Sequence, residues 1–279
     1  MDASGLQALT QLVAAGDVVV LSGAGLSTES GIPDYRGPSG SARRATPMTY
    51  QAFTGSAAAR RRYWARSHLG WRVIARATPN AGHRAVTRLD AAGMLRGVIT
   101  QNVDGLHTSA GTRAVVELHG NLDRVVCLDC GRTTTRQEHD GRLRAVNRAW
   151  RARVLAVNPD GDVELADEDL DGFRIVDCAA CGGVLKPDVV FFGETVPQPR
   201  VRTCFELVDR AAALLVLGSS LTVMSGYRFV LHASRLGVPV AIVNQGTTRG
   251  DGKADLKLDA PLGRVLPALA DRLEALAPH

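Results

Sequence analysis

Two pairs of cysteines have the spacing of a metal site. Cys127 and Cys130 form one C-x-x-C pair, and Cys178 and Cys181 form the other. Each pair can present two thiolates from one tight turn, and four thiolates complete the tetrahedral shell that Zn²⁺ prefers. A shell filled by four sulfurs has no open position, so we expect one structural zinc ion per chain. The fifth cysteine, Cys204, is left over as a spare thiol.

A glycine-rich run, GAGLST at 23–28, directly follows the apolar run DVVVLS at 17–22. Such a turn after a buried strand can bring backbone N–H groups close to a pyrophosphate. It departs from the fingerprint of dehydrogenases, because Thr28 stands where the third glycine should be. The acid that holds the adenosine ribose, expected about 20 residues further on, is also missing, since no Asp or Glu occurs from Tyr35 to Leu89. The run therefore predicts dinucleotide binding without ordinary hydride transfer, and a simple tight turn is the alternative.

Six separated motifs together are far more specific. They are GAGLSTESGIPDYRG at 23–37, TQNVDGLH at 100–107, LHG at 118–120, KPDVVFFGE at 186–194, GSSL at 218–221 and NQG at 244–246. In this order and spacing the set resembles the sirtuins, NAD-dependent protein deacylases, over the chain from about Asp17 to its end. The runs RYWAR, LHTSAG, CLDCG, PDGDV and SGYRF are most similar to the class II branch, which has bacterial and mitochondrial members.

The resemblance implies that NAD is bound and consumed as a co-substrate. It places the glycine loop around NAD, Ile32 and Tyr35 in a nicotinamide pocket, and Leu262 beside adenine. The full set of residues implied to contact NAD is Gly23, Ala24, Gly25, Ser27, Ile32, Asp34, Tyr35, Arg36, Gln101, Asn102, Val103, Asp104, Gly218, Ser219, Ser220, Asn244, Gln245, Gly246 and Leu262.

His119 is the implied catalytic base, because it alone of the seven histidines stands in the L-H-G context. In the family, the acyl oxygen attacks the ribose carbon that carries nicotinamide, and a base then activates a ribose hydroxyl to complete acyl transfer. Histidine suits this step because its ordinary pKa lies near neutrality. The expected products are nicotinamide, O-acyl-ADP-ribose and free lysine.

Four residues are candidates for binding the acyl-lysine substrate. The resemblance places Val190 and Phe191 beside the peptide. Tyr63 and Arg66 lie three apart in an Arg-rich segment, hence on one face of a helix, and a similar pair in the desuccinylase branch holds an acyl carboxylate. The alternative, that Tyr63 is core packing and Arg66 is surface charge, stays open.

The charge pattern favours the carboxylate clamp. The 55 residues from Tyr35 to Leu89 contain eleven Arg and no acid, so Arg66 lacks a nearby partner in sequence. We therefore expect acidic acyl groups to be preferred over acetyl. An acidic insert at 160–171, with seven Asp and Glu, could instead fold onto the Arg-rich segment and satisfy the same arginines.

The elements that must position these residues follow an α/β pattern. Apolar runs at 17–22, 97–100, 115–118, 213–218 and 238–244 read as strands buried in a parallel sheet. Helix-compatible stretches lie between most of them, and 262–276 predicts a closing helix. Strands that alternate with helices indicate a Rossmann-like, doubly wound parallel sheet.

Two segments interrupt this alternation and predict a smaller domain. We assign residues 1–44, 82–125 and 183–279 to a Rossmann-like NAD-binding domain. The Arg-rich, aromatic segment 45–81 is predicted to form a helical module, and 126–182 a zinc-binding module. Together these two modules should form the small domain beside the sheet.

Composition limits the other possibilities. No apolar run reaches 18 residues and the N-terminus has no basic targeting pattern, so neither a membrane span nor a signal peptide is expected. The expected location is a reducing cytoplasm. The net charge of +5 comes from one Arg-rich patch, so we expect no direct binding to nucleic acid. The expected partners are acyl-lysine proteins, and the oligomeric state stays open. Two rival functions are a protein mono-ADP-ribosyltransferase and an NAD-sensing protein without turnover.

Overall fold

The computed structural model describes residues 3–34, 47–157 and 162–276. The helices in these ranges are α1 (Ala3–Ala14), α2 (Tyr50–Gly55), α3 (Ala57–Arg76), α4 (Ala81–Ala91), α5 (Leu106–Ser109), α6 (Arg136–Val146), α7 (Gln198–Asp209), α8 (Met224–Leu236) and α9 (Leu262–Leu276). The strands are β1 (Val18–Ser22), β2 (Leu95–Thr100), β3 (Val115–Glu117), β4 (Gly120–Cys127), β5 (Thr133–Thr135), β6 (Ala156–Val157), β7 (Val163–Glu164), β8 (Leu185–Val189), β9 (Ala213–Leu217), β10 (Val240–Val243) and β11 (Leu256–Leu258).

A six-stranded parallel sheet forms the centre of the larger part, in the order β11-β10-β9-β1-β2-β3. The predicted fold class and the predicted closing helix are therefore confirmed. The edge strand β11 was not predicted, because its short LKL sequence carries no clear apolar run.

Both faces of the sheet are covered, and β1 shows how. Val18 and Val20 pack in one core beneath α1, α4 and α9, whereas Val19 and Leu21 pack in a second core beneath α7 and α8. Side chains alternate between the faces of a strand, so a strand that is buried on both sides must be apolar at every position. This requirement explains the VVVL run in β1.

A third core joins the Arg-rich helices to the cysteine-bearing segment. Phe53 of α2 and Trp64 of α3 pack there with Cys127 and Cys178. The helix α3 begins where the Ser56 side chain accepts a hydrogen bond from the Ala59 N–H, an ordinary N-cap. We propose that the domain division given by the sequence holds. The strands β4 and β8 pair antiparallel with each other and form a separate three-stranded sheet with β5.

A buried histidine lies in the third core. His139 of α6 stacks on Trp64 with ring centroids 4.2 Å apart, and neither of its ring nitrogens has a hydrogen-bond partner among the described residues. Burial, together with the nearby charges of Arg136 and Arg142, lowers the pKa of His139 to about 3. The folded protein thus holds this imidazole neutral well below pH 6.5.

His139→Phe is expected to make the protein less sensitive to acid. Between pH 6.5 and about 3 the unfolded chain binds a proton at His139 that the folded chain does not bind. The free energy of unfolding therefore falls as the pH falls, by about 1.4 kcal/mol per pH unit from this residue. Phenylalanine keeps the ring on Trp64 and removes that contribution. Urea unfolding of both proteins at pH 7, 6 and 5 measures the difference, and parallel pH profiles would contradict it.

Candidate active site

The predicted NAD residues lie on loops that follow strands of the parallel sheet. The loop 23–27 follows β1, 101–104 follows β2, 218–220 follows β9 and 244–246 follows β10. Because the carboxyl ends of parallel strands meet at one edge of the sheet, these loops come together although they are far apart in sequence. They surround a cavity of about 720 Å³.

The cavity collects most of the predicted site residues. Those that line it are Gly23, Ala24, Gly25, Ser27, Ile32, Asp34, Tyr63, Gln101, Asn102, Val103, Asp104, His119, Val190, Phe191, Gly218, Ser219, Ser220, Asn244, Gln245 and Leu262. Gly246 does not line it but forms the adjoining turn, where its N–H donates to Asp259 Oδ1 at 3.1 Å. Tyr35 and Arg36 lie outside the described residues.

Glycines allow the first loop to pack directly on its neighbour. A Cβ at Gly23 would lie 2.8 Å from the Gly218 carbonyl oxygen, and one at Gly25 would lie 2.9 Å from the same atom. Gly218 itself has a φ of +61°, which disfavours other residues. The glycines at 23 and 25 are therefore needed for loop–loop contact, in addition to the close ligand approach inferred from sequence.

A hydrogen-bond network links the loops after β1 and β2. Ser27 Oγ donates to Asp104 Oδ2 at 2.6 Å, and Asn102 Nδ2 donates to the Gly23 carbonyl oxygen and to Ser27 Oγ at 3.0 Å each. Burial raises the pKa of Asp104, while the hydrogen bonds from Ser27 and the Leu106 N–H lower it. Gln101 Nε2 donates to Ser219 Oγ at 2.8 Å, which ties the second loop to the one after β9. The polar floor of the cavity is thus preorganised.

His119 follows β3 and is held by a hydrogen bond at each ring nitrogen. Nδ1 lies 2.9 Å from the Gln101 carbonyl oxygen, and Nε2 lies 2.8 Å from Ser225 Oγ. A carbonyl oxygen only accepts, so Nδ1 carries the proton and Nε2 presents its lone pair. Burial lowers the pKa of His119 below 6.5, and Arg200 and Arg228 also lower it, whereas the bond to Gln101 raises it. The imidazole is therefore a neutral base at pH 7.

The segment that follows β8 forms another part of the cavity wall. The Val190 N–H donates to the His119 carbonyl oxygen at 2.8 Å, so this segment is fixed to the backbone of the base. The Phe191 N–H donates to Glu194 Oε2 at 2.8 Å, and the same carboxylate oxygen pairs with Lys186 Nζ at 3.1 Å. Lys186 also donates to the Val189 carbonyl oxygen. The turn that carries Val190 and Phe191 is held by an internal ion pair.

Tyr63 and Arg66 lie on α3 but contact different parts of the protein. Tyr63 is buried in an aromatic cluster, 5.5 Å from the Phe53 ring and 5.1 Å from the Phe191 ring between centroids, and reaches the cavity wall. Arg66 is not among the residues that line the cavity.

Arg66 has acidic partners in the structure, although it has none nearby in sequence. Its Nε donates to the Val163 carbonyl oxygen at 2.7 Å, and its Nη2 lies 3.2 Å from Asp162 Oδ1 and 3.6 Å from Glu164 Oε1. The guanidinium is largely buried, with 12% of the side chain exposed. The part of the acidic insert that the structure describes, with Asp162 and Glu164, therefore pairs with Arg66 of α3, which is the alternative to the clamp.

The four cysteines come together as predicted. Their Sγ atoms all lie within 4.8 Å of one another, with Cys127 and Cys181 3.5 Å apart and Cys130 and Cys178 3.9 Å apart. Four sulfurs at about 2.3 Å from a tetrahedral Zn²⁺ lie about 3.8 Å from each other, so the set fits a structural zinc ion.

Each cysteine pair is carried by a tight turn that closes on a glycine. The Gly131 N–H donates to the Cys127 carbonyl oxygen at 3.0 Å, and the Gly182 N–H to the Cys178 carbonyl oxygen at 2.9 Å. Both glycines have positive φ, +70° and +74°, which is the reason for glycine at these positions.

Three further residues line the cavity without a role predicted from the sequence: Ser225, Arg228 and Glu194. Ser225 and Arg228 lie in the SGYRF run, and Glu194 ends the KPDVVFFGE run. The motifs therefore marked the segments, but which side chains turn towards the cavity depends on how α8 and the 190–194 turn pack.

Comparison with known proteins gives consistent matches. The model of the Sir2 family matches residues 23–225. The chain is 62% identical over 259 residues to "NAD-dependent protein deacetylase 1" of Streptomyces coelicolor, covering 93% of this chain and 87% of the relative. It is 51% identical over 276 residues to the protein of the same name from Mycobacterium avium, covering 97% and 96%.

Solved structures show the same fold. One described as "Structural Basis for the Mechanism and Regulation of Sir2 Enzymes" has a TM-score of 0.77 at 31% identity and covers 98% of this chain and 99% of its own. Another, described as "Sir2-p53 peptide-NAD+", has a TM-score of 0.78 at 28% identity, with the same coverage of both chains.

Proposed function

The chain belongs to the Sir2 family, and from this membership we propose that it removes acyl groups from protein lysines and consumes NAD in the reaction. The observation that carries the proposal is the meeting of a neutral, oriented histidine with the sheet-edge loops in one cavity. The relatives from Streptomyces coelicolor and Mycobacterium avium are named NAD-dependent protein deacetylases, which supports the same reaction here.

The loops after β1, β2, β9 and β10 are proposed to hold NAD. NAD supplies an electrophilic ribose carbon and a good leaving group, nicotinamide. In this proposal Gly23, Gly25 and Ser27 approach the phosphates, and Ile32, Asn102 and Asp104 surround the nicotinamide end. The loops at 218–220 and 244–246, with Leu262, hold the adenosine end. The preorganised bonds between these loops support the assignment, because a fixed site does not have to be ordered at the moment of binding.

His119 is proposed to be the general base that takes a proton from a ribose hydroxyl. Its Nδ1–H is held by the Gln101 carbonyl oxygen, which fixes the tautomer and stabilises the positive charge that protonation of Nε2 creates. The lowered pKa keeps the base unprotonated at neutral pH. Val190 and Phe191 are proposed to border the acyl-lysine, since the Val190 N–H is bonded directly to the His119 carbonyl.

The direct test is incubation of the zinc-loaded protein with NAD and an acetyl-lysine peptide, followed by mass spectrometry. The deacylase proposal requires deacetylated peptide, nicotinamide and O-acetyl-ADP-ribose in equal amounts. A peptide or protein that gains ADP-ribose would instead indicate the mono-ADP-ribosyltransferase, which the names of the relatives do not favour. Binding of NAD without release of nicotinamide would indicate the sensor and would contradict both enzymes.

We further propose that neutral acyl groups are preferred over acidic ones. Four apolar or aromatic residues of the third core line the cavity: Met48, Tyr63, Ile74 and Phe191. Arg66 is already paired with Asp162. A carboxylate placed against this wall would lose water without gaining a charge partner.

The expected result is a kcat/KM for acetyl peptides about 10-fold or more above that for glutaryl peptides. Arg66→Ala should leave the ratio unchanged, because the guanidinium pairs with the insert and does not line the cavity. Steady-state kinetics with both peptides, in the native protein and in Arg66→Ala, checks both statements. A preference for glutaryl peptides that disappears in Arg66→Ala would contradict this proposal and would show that Arg66 binds the acyl carboxylate.

A further inference from the structure

The hydroxyl of Ser225 is hydrogen-bonded to Nε2 of His119, the ring nitrogen that can act as a base. Because Nδ1 carries the proton that is donated to the Gln101 carbonyl oxygen, the Nε2 lone pair must accept the hydrogen bond that joins it to Ser225 Oγ at 2.8 Å. Ser225 is therefore the donor in this pair. Its oxygen keeps two lone pairs, and its side chain lines the cavity together with His119.

The position of Ser225 is fixed by the fold. It is the second residue of α8, which begins at Met224, and α8 follows the loop 218–220 that closes the cavity after β9. The Leu118 carbonyl oxygen, next to His119 in the chain, accepts from Arg200 of α7, and the Met224 carbonyl oxygen, next to Ser225, accepts from Arg228 of α8. The bond between the base and the hydroxyl therefore joins the segment after β3 to the first turn of α8.

We infer that Ser225 is a catalytic proton relay, which passes the proton of a ribose hydroxyl to His119. This inference rests on the proposed deacylase function. A hydroxyl can accept one hydrogen bond while it donates another, so Ser225 can accept from the ribose hydroxyl while it donates to Nε2. No large movement of the imidazole is then required before the base can act.

The step balances in protons and charge. The O–H bond of the ribose hydroxyl breaks and its proton goes to Ser225 Oγ, while the proton of Ser225 moves to His119 Nε2. Ser225 ends as the neutral hydroxyl it was, His119 becomes an imidazolium that the Gln101 carbonyl stabilises, and the ribose oxygen gains the electron pair with which it attacks the acyl carbon. That attack breaks the carbon–nitrogen π bond of the acyl–lysine intermediate, and its electrons go to the lysine nitrogen. When the remaining carbon–nitrogen bond breaks, the proton passes from His119 Nε2 through Ser225 Oγ to the departing lysine nitrogen.

A different role would follow if the hydroxyl merely covered the base. In that case Ser225 would have to swing away before the ribose hydroxyl reached Nε2, and its removal would speed the reaction. The two roles therefore predict opposite changes in rate, and they can be separated by substitution.

Ser225→Ala, Ser225→Thr and the matched control Ser234→Ala, which makes the same chemical change at the other end of α8, form the test. Three quantities are measured: deacetylation kcat, exchange of labelled nicotinamide into NAD, and the titration of His119 by ¹⁵N NMR in the protein without NAD. Exchange reports the step before the base is needed.

The relay requires that Ser225→Ala lower the deacetylation kcat by about 10-fold or more while nicotinamide exchange stays within about 2-fold, and that Ser225→Thr recover most of the loss. The pKa of His119 should stay below its ordinary value in Ser225→Ala, because burial lowers it most and the lost hydroxyl can pair with either form of the imidazole. Arg200 and Arg228, the cations that face His119 from α7 and α8, are unchanged in this comparison. Ser234→Ala should match the native protein.

Deacetylation at or above the native rate in Ser225→Ala, with exchange intact, would overturn the relay and leave the deacylase function standing. A native protein that neither exchanges nicotinamide nor deacetylates the peptide would overturn the proposed function and the relay with it. A Ser225→Thr variant as slow as Ser225→Ala, with unchanged exchange, would also count against the relay, since it would show that the hydroxyl is not what matters.

Discussion

His119→Ala is expected to abolish most of the deacylation while leaving NAD binding largely intact. The base acts only in the proton transfer, and removal of a general base typically costs about 10²–10⁴-fold in rate. NAD is proposed to be held by the loops after β1, β2, β9 and β10, whose bonds to one another do not depend on the imidazole side chain. Deacetylation kcat and the Kd for NAD, measured by calorimetry, separate the two effects.

His232→Ala serves as the matched control for this experiment. His232 lies on α8 and bonds to Asp209 of α7 at the surface, so its removal should change kcat by less than about 2-fold, as is usual away from a site. Near-normal deacetylation by His119→Ala with every acyl peptide tested would show that another group is the base. A variant that also fails to bind NAD would mean that His119 has a structural role beyond proton transfer.

Loss of zinc is expected to unfold the small domain and to remove activity indirectly. Structural zinc sites contribute on the order of 10–16 kcal/mol of apparent binding free energy, which is as large as the whole stability of many domains, about 5–15 kcal/mol. Cys127 and Cys178 belong to the same core as Tyr63 and Phe191, which border the cavity. Disorder at the cysteines should therefore reach the wall that is proposed to hold the substrate.

Cys178→Ala tests this dependence, with Cys204→Ala as the control. Cys204 is fully buried beneath the sheet and is remote from the four-cysteine cluster, so its replacement should keep one zinc per chain. Zinc content by atomic spectroscopy, thermal unfolding and deacetylation are measured on both variants and on native protein treated with a chelator. A well-folded, active protein without zinc would contradict the structural role.

The family, the class of fold and the metal site could be predicted from the amino-acid sequence, because each is indicated by short runs of residues with a characteristic spacing. The VVVL run of β1 reports a strand buried on both faces, and the C-x-x-C spacing reports two turns that close on glycine. The loops at 23–27, 101–104 and 218–220 were identified by their motifs. That they converge follows from the parallel sheet, in which the carboxyl ends of all strands share one edge.

Which charged groups and hydroxyls pair with one another depends on the tertiary structure. Arg66 has no acid near it in sequence, yet it pairs with Asp162, 96 residues further along the chain. Nothing in the local sequence distinguishes Ser225 from the other serines, yet it donates to His119, 106 residues away in the chain. Local patterns specify backbone geometry over a few residues, whereas an ion pair or a hydrogen bond between side chains depends on how distant elements are packed. For that reason the pairing of Arg66 depends on how α3 lies against β7, and the pairing of Ser225 depends on how α8 lies against the segment after β3. Neither pairing could be inferred from the sequence.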